Sequence, residues 1–282
     1  MCDENTFKND GLKKYSRRDV GTLAASVGVA MAVPRVVNAV DVNDGEVEIQ
    51  TPDGVCDAYF AAPVSGAHAA VIMWPDIFGL RPAFRQMGKR LAEVGYSVLV
   101  PNPFYRLMPA PTAVSGAYTP IPDVLPHAQS LSPQTQITDT RAFVAWLDAQ
   151  DEVDESRQIG TMGYCMSGSF TMRGAAALPD RIGAACSYHG GGLVTDAADS
   201  PHLLFPQMQA ELLIAIAEND DMQQPEAKDV LREAAADANV SAEIEVYPAT
   251  HGWCPFDTRV YDYSESERAW SRTLELFERA LA

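Results

Sequence analysis

A cysteine lies where an apolar run meets a helical pattern, in the segment GYCMSG at residues 163–168. A sharp strand-to-helix turn strains the backbone of its central residue and crowds the neighbours, so it needs small residues shortly before and after. Gly163, Ser167 and Gly168 meet this need around Cys165. At the start of the following helix, unpaired N–H groups and the positive end of the helix dipole favour a thiolate. The segment predicts a nucleophilic cysteine; the plainer alternative is a small buried apolar residue.

An acid and a base follow two later apolar runs. Asp220 and Asp221 come shortly after the run at 212–217, and His251 comes shortly after the run at 244–247. The order nucleophile, acid, base is that of α/β-hydrolases, whose site residues lie at the carboxyl ends of parallel strands. His251 would accept the thiol proton, while the acid would hold one imidazole tautomer and stabilise the imidazolium. Asp220 is preferred to Asp221 because it follows the strand after the usual short turn.

Apolar runs and helical patterns alternate along most of the chain. The predicted strands are at 47–50, 55–61, 69–74, 96–100, 158–162, 182–188, 212–217 and 244–247, and the predicted helices at 83–94, 134–149, 167–177, 226–238 and 264–281. Near-continuous apolar strands joined by helices indicate a mostly parallel sheet covered on both faces. We therefore predict a single-domain α/β-hydrolase over residues 40–282. The Pro-rich segment 103–133 lacks periodicity, which predicts a long surface excursion that forms the lid or wall of a site.

Composition and charge narrow the classes of partner. The chain has 282 residues, 47% of them hydrophobic, and a formal net charge of −17. Such a chain can build one large core. Its acidic residues are scattered, which argues against nucleic acid or an anionic membrane surface as a partner. Five cysteines without CxxC spacing indicate neither a disulfide scaffold nor a zinc site.

The first 39 residues have the organisation of an export signal. A basic stretch with Arg17 and Arg18 precedes a mildly apolar run of small residues. The segment SRRDV resembles a twin-arginine signal, so we expect passage through the twin-arginine export machinery, cleavage after Ala39 and a periplasmic mature protein. The apolar run is too short for a stable membrane anchor. The alternative is an amphipathic helix packed on the domain, although the apolar residues lack a stripe of 3.6-residue period.

Together these motifs resemble the dienelactone hydrolase family. The resemblance lies in the cysteine turn, Asp220 and the HGW at 251–253, with further support from WPDIFGL at 74–80 and SYHGGGL at 187–193. It covers most of residues 45–280. Members of this family are compact α/β-hydrolases with a Cys-His-Asp triad, and they cleave enol lactones or small esters. The reference reaction is the opening of a dienelactone to maleylacetate.

The resemblance also assigns residues next to the nucleophile. The N–H of Met166 should face the developing oxyanion because of the turn geometry, and the family places the N–H of Ile77 beside it as the second donor. In the family a Glu in this loop contacts the resting thiol and helps to activate it when substrate arrives. The corresponding residue here is Asp76, one methylene shorter. Ser167 stands where the family has Gly.

Substrate binding departs from the family pattern. The family archetype holds its substrate carboxylate with two arginines, and Arg106 matches the first as a bidentate clamp. The second is missing, because WCP stands at 253–255 and no arginine appears before Arg259. A less anionic or larger ester is therefore expected in place of the archetypal dienelactone. Tyr105 and Trp253 are candidate pocket residues, since aromatic side chains commonly wall such sites.

These observations predict a hydrolase that cleaves a small ester or enol lactone through a thioester acyl-enzyme. The expected partner is a small-molecule ester or lactone, without a metal or organic cofactor, and the protein would be a monomer or small homo-oligomer. One alternative is a non-catalytic exported binding protein on the same fold. Another is a thiol-redox protein that uses Cys165, with Cys254 as a second thiol.

Overall fold

The computed structural model describes residues 34, 36 and 39–282, and the predicted export signal at 1–39 lies almost entirely outside them. The strands are β1 (Val42–Thr51), β2 (Gly54–Pro63), β3 (Ala70–Trp74), β4 (Ser97–Pro101), β5 (Ile159–Tyr164), β6 (Ile182–Tyr188), β7 (Glu211–Ala217) and β8 (Ala242–Tyr247). The helices are α1 (Pro82–Ala92), α2 (Ile121–Gln129), α3 (Pro133–Leu147), α4 (Gly168–Ala177), α5 (Glu218–Gln223), α6 (Ala227–Asp237) and α7 (Tyr263–Ala280).

The strands form one sheet in the order β1-β2-β4-β3-β5-β6-β7-β8. The β1–β2 and β2–β4 pairs are antiparallel, whereas every pair from β4 to β8 is parallel. The α/β-hydrolase fold with a mostly parallel sheet is thus confirmed. Parallel strands run in one direction, so the segments that follow β3, β5, β7 and β8 all leave the sheet at the same edge.

Helices cover both faces of the sheet. Successive side chains of a strand point to opposite faces, so strands that are apolar along their whole length must be covered on both sides. In β3, Val71 and Met73 belong to the apolar cluster under α1 and α7. Ile72 and Trp74 point the other way and pack with residues of α3. A third cluster joins β6 and β7 to α4 and α6. The packed sheet gives the loops at its carboxyl edge a rigid base.

Two segments differ from the sequence-based expectation. β1 and β2 are each ten residues long, because the hairpin pairing continues past the predicted ranges, in β1 through the mostly polar, exposed residues 42–46, which carry no apolar signal. The 103–133 excursion contains the helix α2, with Pro122 in its first turn and Pro126 inside it. Proline hides helical periodicity in a sequence, although it is well tolerated in a first turn.

Two kinds of feature are absent from the described residues. None of their helices is both long and apolar enough to span a bilayer. Within the same part of the chain, no three or more His, Cys, Asp or Glu side chains are grouped as metal ligands would be.

Candidate active site

Cys165 lies on a strained turn between β5 and α4. A 3-10 turn at 165–167 connects the two elements, and Cys165 has φ 57°, in the left-handed region that residues other than glycine rarely adopt. A Cβ on Gly163 would lie 2.2 Å from the carbonyl oxygen of Ser167, and one on Gly168 would lie 2.3 Å from the Ser187 hydroxyl. Both positions therefore require glycine, and the predicted cysteine turn is present.

Ser167, which replaces the family glycine, connects two strands. Its buried hydroxyl accepts the N–H of Tyr164 at 2.8 Å and donates to the carbonyl of Trp74 at 2.9 Å. Trp74 ends β3 and Tyr164 ends β5. The substitution thus adds a hydrogen-bonded bridge beneath the nucleophile, where glycine could offer none.

His251 is paired with Asp220. The Nδ1 of His251 lies 2.6 Å from Oδ2 of Asp220, and the His251 backbone N–H donates to the side chain of Asn219 at 2.7 Å. Since a carboxylate only accepts, Nδ1 carries the proton and Nε2 is left as the basic nitrogen. Asp221 instead accepts from Lys228 at 2.7 Å. Asp220 lies in the short helix α5 rather than in a plain turn.

Cys165 is surrounded by apolar side chains. It is only 5% exposed and belongs to a cluster with Ile77, Phe78, Ala113 and Val124. Two of these residues come from the 103–133 excursion, which thereby forms a wall beside Cys165, and Met166 packs against the same cluster. An apolar wall excludes water and strengthens electrostatic interactions inside the site.

The loop after β3 is arranged around Asp76. The N–H of Phe78 donates to the Asp76 carboxylate and the N–H of Gly79 to the Asp76 carbonyl, both at 2.9 Å. Neither bond uses the N–H of Ile77, so the oxyanion role that the family resemblance implies for it stays a prediction. The activating role of Asp76 toward the thiol stays a prediction.

Asp76 also takes part in a buried ion cluster that the sequence did not reveal. Both of its oxygens accept from Arg81, at 2.7 and 3.0 Å, and Arg81 also binds both oxygens of Asp257, at 2.7 and 2.9 Å. Although burial lowers the pKa of Arg81, the two carboxylates outweigh it and raise that pKa above its usual value. Asp257 further accepts the N–H of Gly116. The cluster joins the oxyanion loop, the excursion and the segment after His251.

Replacing Arg81 by methionine should lower the free energy of unfolding by about 3–5 kcal/mol, because it leaves the buried carboxylate of Asp76 and the partly buried one of Asp257 without their counter-charge. Urea unfolding followed by circular dichroism measures the change. Arg85→Met is the matched control, since Arg85 forms a more exposed pair with Glu46 and should cost less than about 1 kcal/mol. Equal losses in the two variants would contradict a structural role for the cluster.

Arg106 and Tyr105 are engaged away from the triad. Arg106 pairs with Asp139 and Asp53, in each case with a shortest contact of 2.6 Å. The Tyr105 hydroxyl contacts Asp139 at 2.9 Å and Thr51 at 2.7 Å. These contacts tie the start of the excursion to the β1–β2 turn and to α3. In this structure both side chains are engaged by carboxylates, and the role of Arg106 as a carboxylate clamp stays a prediction.

Trp253 packs behind the site instead of lining a pocket. It is fully buried, its ring stacks on Tyr247 at 5.4 Å, and it makes an edge contact with His189 at 4.9 Å. The His189 ring lies 4.9 Å from the His251 ring, and its Nδ1 accepts the N–H of Cys165 at 3.1 Å. His189 therefore contacts both the Cys165 turn and the ring of His251. Sequence reasoning missed it, although SYHGGGL had been noticed as a similar segment.

A cleft of about 310 Å³ opens beside His251 and Asp220. Its other lining residues include the loop at 190–194, two glutamines of the 218–224 segment, Asp221 and Lys228. The Lys228 ammonium is paired with Asp221. The candidate site thus combines an apolar surface around Cys165 with a cleft of mixed polar and apolar lining, in which the Lys228 ammonium is already matched by a carboxylate.

Three other thiols lie in the core. Burial raises the pKa of Cys186 to about 12, and it also raises the pKa of Cys56 and of Cys254. Cys254 packs in the cluster under α1 and α7, whereas Cys165 belongs to a different cluster. A buried, protonated thiol is a poor attacking group, which weighs against Cys254 as the second thiol of a redox pair.

A sequence model of the dienelactone hydrolase family matches residues 56–281. The carboxymethylenebutenolidase of Rhodococcus opacus is 29% identical over 230 residues, covering 78% of this chain and 85% of that protein. A dienelactone hydrolase-like promiscuous phosphotriesterase from metagenomic libraries has a TM-score of 0.70 at 19% identity, and the dienelactone hydrolase from Anabaena variabilis has 0.62 at 13%. Each alignment covers 86% of this chain and 99% of the other, and shows a shared fold.

Proposed function

Because this chain belongs to the dienelactone hydrolase family and is a carboxylic ester hydrolase of that type, we propose that Cys165, His251 and Asp220 are its catalytic triad. The observation that carries the proposal is the left-handed backbone of Cys165 on a strand-to-helix turn. Such strain costs about 1–3 kcal/mol and persists where function requires a fixed geometry. The His251–Asp220 pair at the same edge of the sheet supports it.

In the proposed reaction the sulfur of Cys165 attacks the ester carbonyl, a C–S bond forms, and Nε2 of His251 takes the thiol proton. The N–H groups of Ile77 and Met166 stabilise the oxyanion, and Asp220 stabilises the imidazolium. The C–O bond then breaks and His251 returns the proton to the leaving alkoxide. Water attacks the thioester with His251 as base, and the acid and the thiol are released.

We further propose an uncharged ester as the preferred substrate. Arg81 follows the loop after β3, and Arg106 lies near the start of the excursion. Each of these arginines is paired with two carboxylates. Lys228 in the cleft is paired with Asp221. A substrate carboxylate would have to displace one of these partners, which costs free energy that a neutral ester does not require.

A matched pair of substrates tests both proposals. p-Nitrophenyl butyrate and p-nitrophenyl hemisuccinate have acyl chains of the same length and differ by one carboxylate. We expect kcat/KM to be at least about tenfold higher for the butyrate, in line with one uncompensated charge. Rapid acid quenching and peptide mass spectrometry should find the acyl group on Cys165, labile to hydroxylamine as thioesters are.

Three outcomes would contradict one or both of these proposals. Turnover with the acyl group on another residue would remove Cys165 as the nucleophile. No turnover and no adduct with either ester would favour the non-catalytic binding protein. Preference for the hemisuccinate would leave the triad in place and overturn the proposed charge preference.

A further inference from the structure

The peptide units around Cys165 are held from both sides by one loop. The Cys165 N–H donates to Nδ1 of His189 at 3.1 Å, and the Cys165 carbonyl accepts the N–H of Gly191 at 3.1 Å. The loop approaches closely, since a Cβ on Gly168 would lie 2.7 Å from Cα of Gly190. The segment 189–191 therefore holds the nucleophile turn in place through hydrogen bonds to both the N–H and the carbonyl of Cys165.

His189 is itself fixed in a strained conformation. Its φ is 41°, in the left-handed region, and its side chain is fully buried. Its own N–H donates to the carbonyl of Ala215 in β7 at 2.7 Å. The ring packs edge-on against Trp253. A non-glycine residue in this conformation needs surrounding contacts to hold it there.

The hydrogen bond to Cys165 also fixes the protonation state of His189. A backbone N–H only donates, so Nδ1 must be unprotonated and the proton of the neutral ring lies on Nε2. Burial and, after it, the neighbouring His251 hold the pKa of His189 well below its usual value. The ring thus remains an acceptor at neutral pH and adds no positive charge beside His251.

We propose that His189 is a positioning residue that holds the nucleophile turn through its bond to the Cys165 N–H. The inference rests on the proposed role of Cys165 as the nucleophile. With its own N–H bound to His189, Cys165 keeps its strained φ, its sulfur stays at the edge of the sheet that carries His251, and the next amide, that of Met166, is left for the oxyanion. Without the acceptor, a buried N–H would be unpaired, which is unfavourable, and the turn could relax.

Three variants of the full chain test the proposal. His189→Leu keeps an apolar body but removes the acceptor. His189→Asn places Oδ1 near the position of Nδ1, and asparagine tolerates the left-handed region. His189→Ala also lacks an acceptor and is smaller than the asparagine variant. It takes the place of the leucine variant in the comparison if that variant does not fold. Thermal unfolding shows which variants remain folded.

We expect His189→Leu and His189→Ala to lower kcat for p-nitrophenyl butyrate by about 10- to 100-fold, with KM changed less than about threefold. His189→Asn should stay within about fivefold of the wild-type kcat. The alkylation rate of Cys165 by iodoacetamide, read by peptide mass spectrometry, should follow the same order. A merely structural role would lower stability in all three variants without rescue by asparagine.

Equal activity in all variants, or an asparagine variant as impaired as the alanine variant, would overturn the proposal. Alkylation needs no ester, so it separates this inference from the proposed function. If the wild type hydrolyses neither ester but the variants still differ in alkylation, His189 positions Cys165 in a protein that is not an esterase. If esters are hydrolysed and alkylation is the same in all variants, only the role of His189 is wrong.

Discussion

Replacing Cys165 by alanine is expected to lower kcat for p-nitrophenyl butyrate by about 10⁴-fold or more. The variant loses the atom that forms the acyl-enzyme, and the remaining groups can only bind the ester and stabilise charge. Burst kinetics should vanish together with the acyl adduct. Initial rates with enzyme in excess, measured against a heat-inactivated blank, define the residual activity.

Cys165→Ala should leave the fold intact, because alanine retains Cβ and fits the same strained turn at a modest cost. Cys186→Ala is the matched control: that thiol is also buried, but it lies inside β6 among core residues. The control should keep kcat within about threefold of wild type. An alanine variant at 165 with more than about 1% of wild-type kcat would show that another group carries the chemistry.

The strands around the site could be read from the sequence because they are buried on both faces. β6 was predicted at 182–188 and is found at those residues, since all but one of its side chains lie in the core and form a continuous apolar run. The cysteine turn was equally visible, because its steric demand for glycine at 163 and 168 is local. A steric requirement that acts within a few residues can therefore be recognised from the sequence of those residues.

The long-range contacts that stabilise the site cannot be recognised from the sequence in this way. Arg81 and Asp257 are 176 residues apart, and neither has a pattern that predicts the other. The bond between His189 and the backbone of Cys165 joins two turns at the ends of neighbouring strands, β5 and β6. This hydrogen bond depends on left-handed backbone conformations at both residues. A sequence does not indicate that conformation for histidine or cysteine. Such pairings become visible only when the strands are assembled.

The residues assigned from pocket expectations make contacts that the sequence did not indicate. Arg106 and Tyr105 were expected to face a substrate, yet Asp53 and Asp139 lie within hydrogen-bonding distance of them. The direction of a side chain in an irregular segment is set by whichever partners the fold brings close, and a carboxylate is a strong partner for arginine. Trp253 follows the base in sequence but turns into the core, because a large apolar ring gains more from burial than from lining a polar cleft.

Replacing Asp220 by asparagine is expected to lower kcat by about 10³- to 10⁴-fold, the second largest effect we predict. Asp220 accepts from Nδ1 of His251 at 2.6 Å and so keeps the basic nitrogen, Nε2, available. Asparagine can instead donate its amide to Nδ1, which would place the imidazole proton on Nε2 and leave no base for the thiol. It also removes the charge that stabilises the imidazolium. The fall should appear in kcat more than in KM, since the change acts on the transition state.

Asp221→Asn is the control that makes this test specific. The two aspartates are adjacent and share the helix α5, but Asp221 binds Lys228, whereas Asp220 binds His251. Its loss exposes a partly accessible ammonium beside the cleft, so kcat for the neutral butyrate should change by less than about threefold. The same variant should improve kcat/KM for the hemisuccinate, because the unpaired Lys228 can now attract the substrate carboxylate. A large fall in Asp221→Asn with little change in Asp220→Asn would exchange the roles of the two residues, and equal falls in both would mean that the cleft as a whole supports the base.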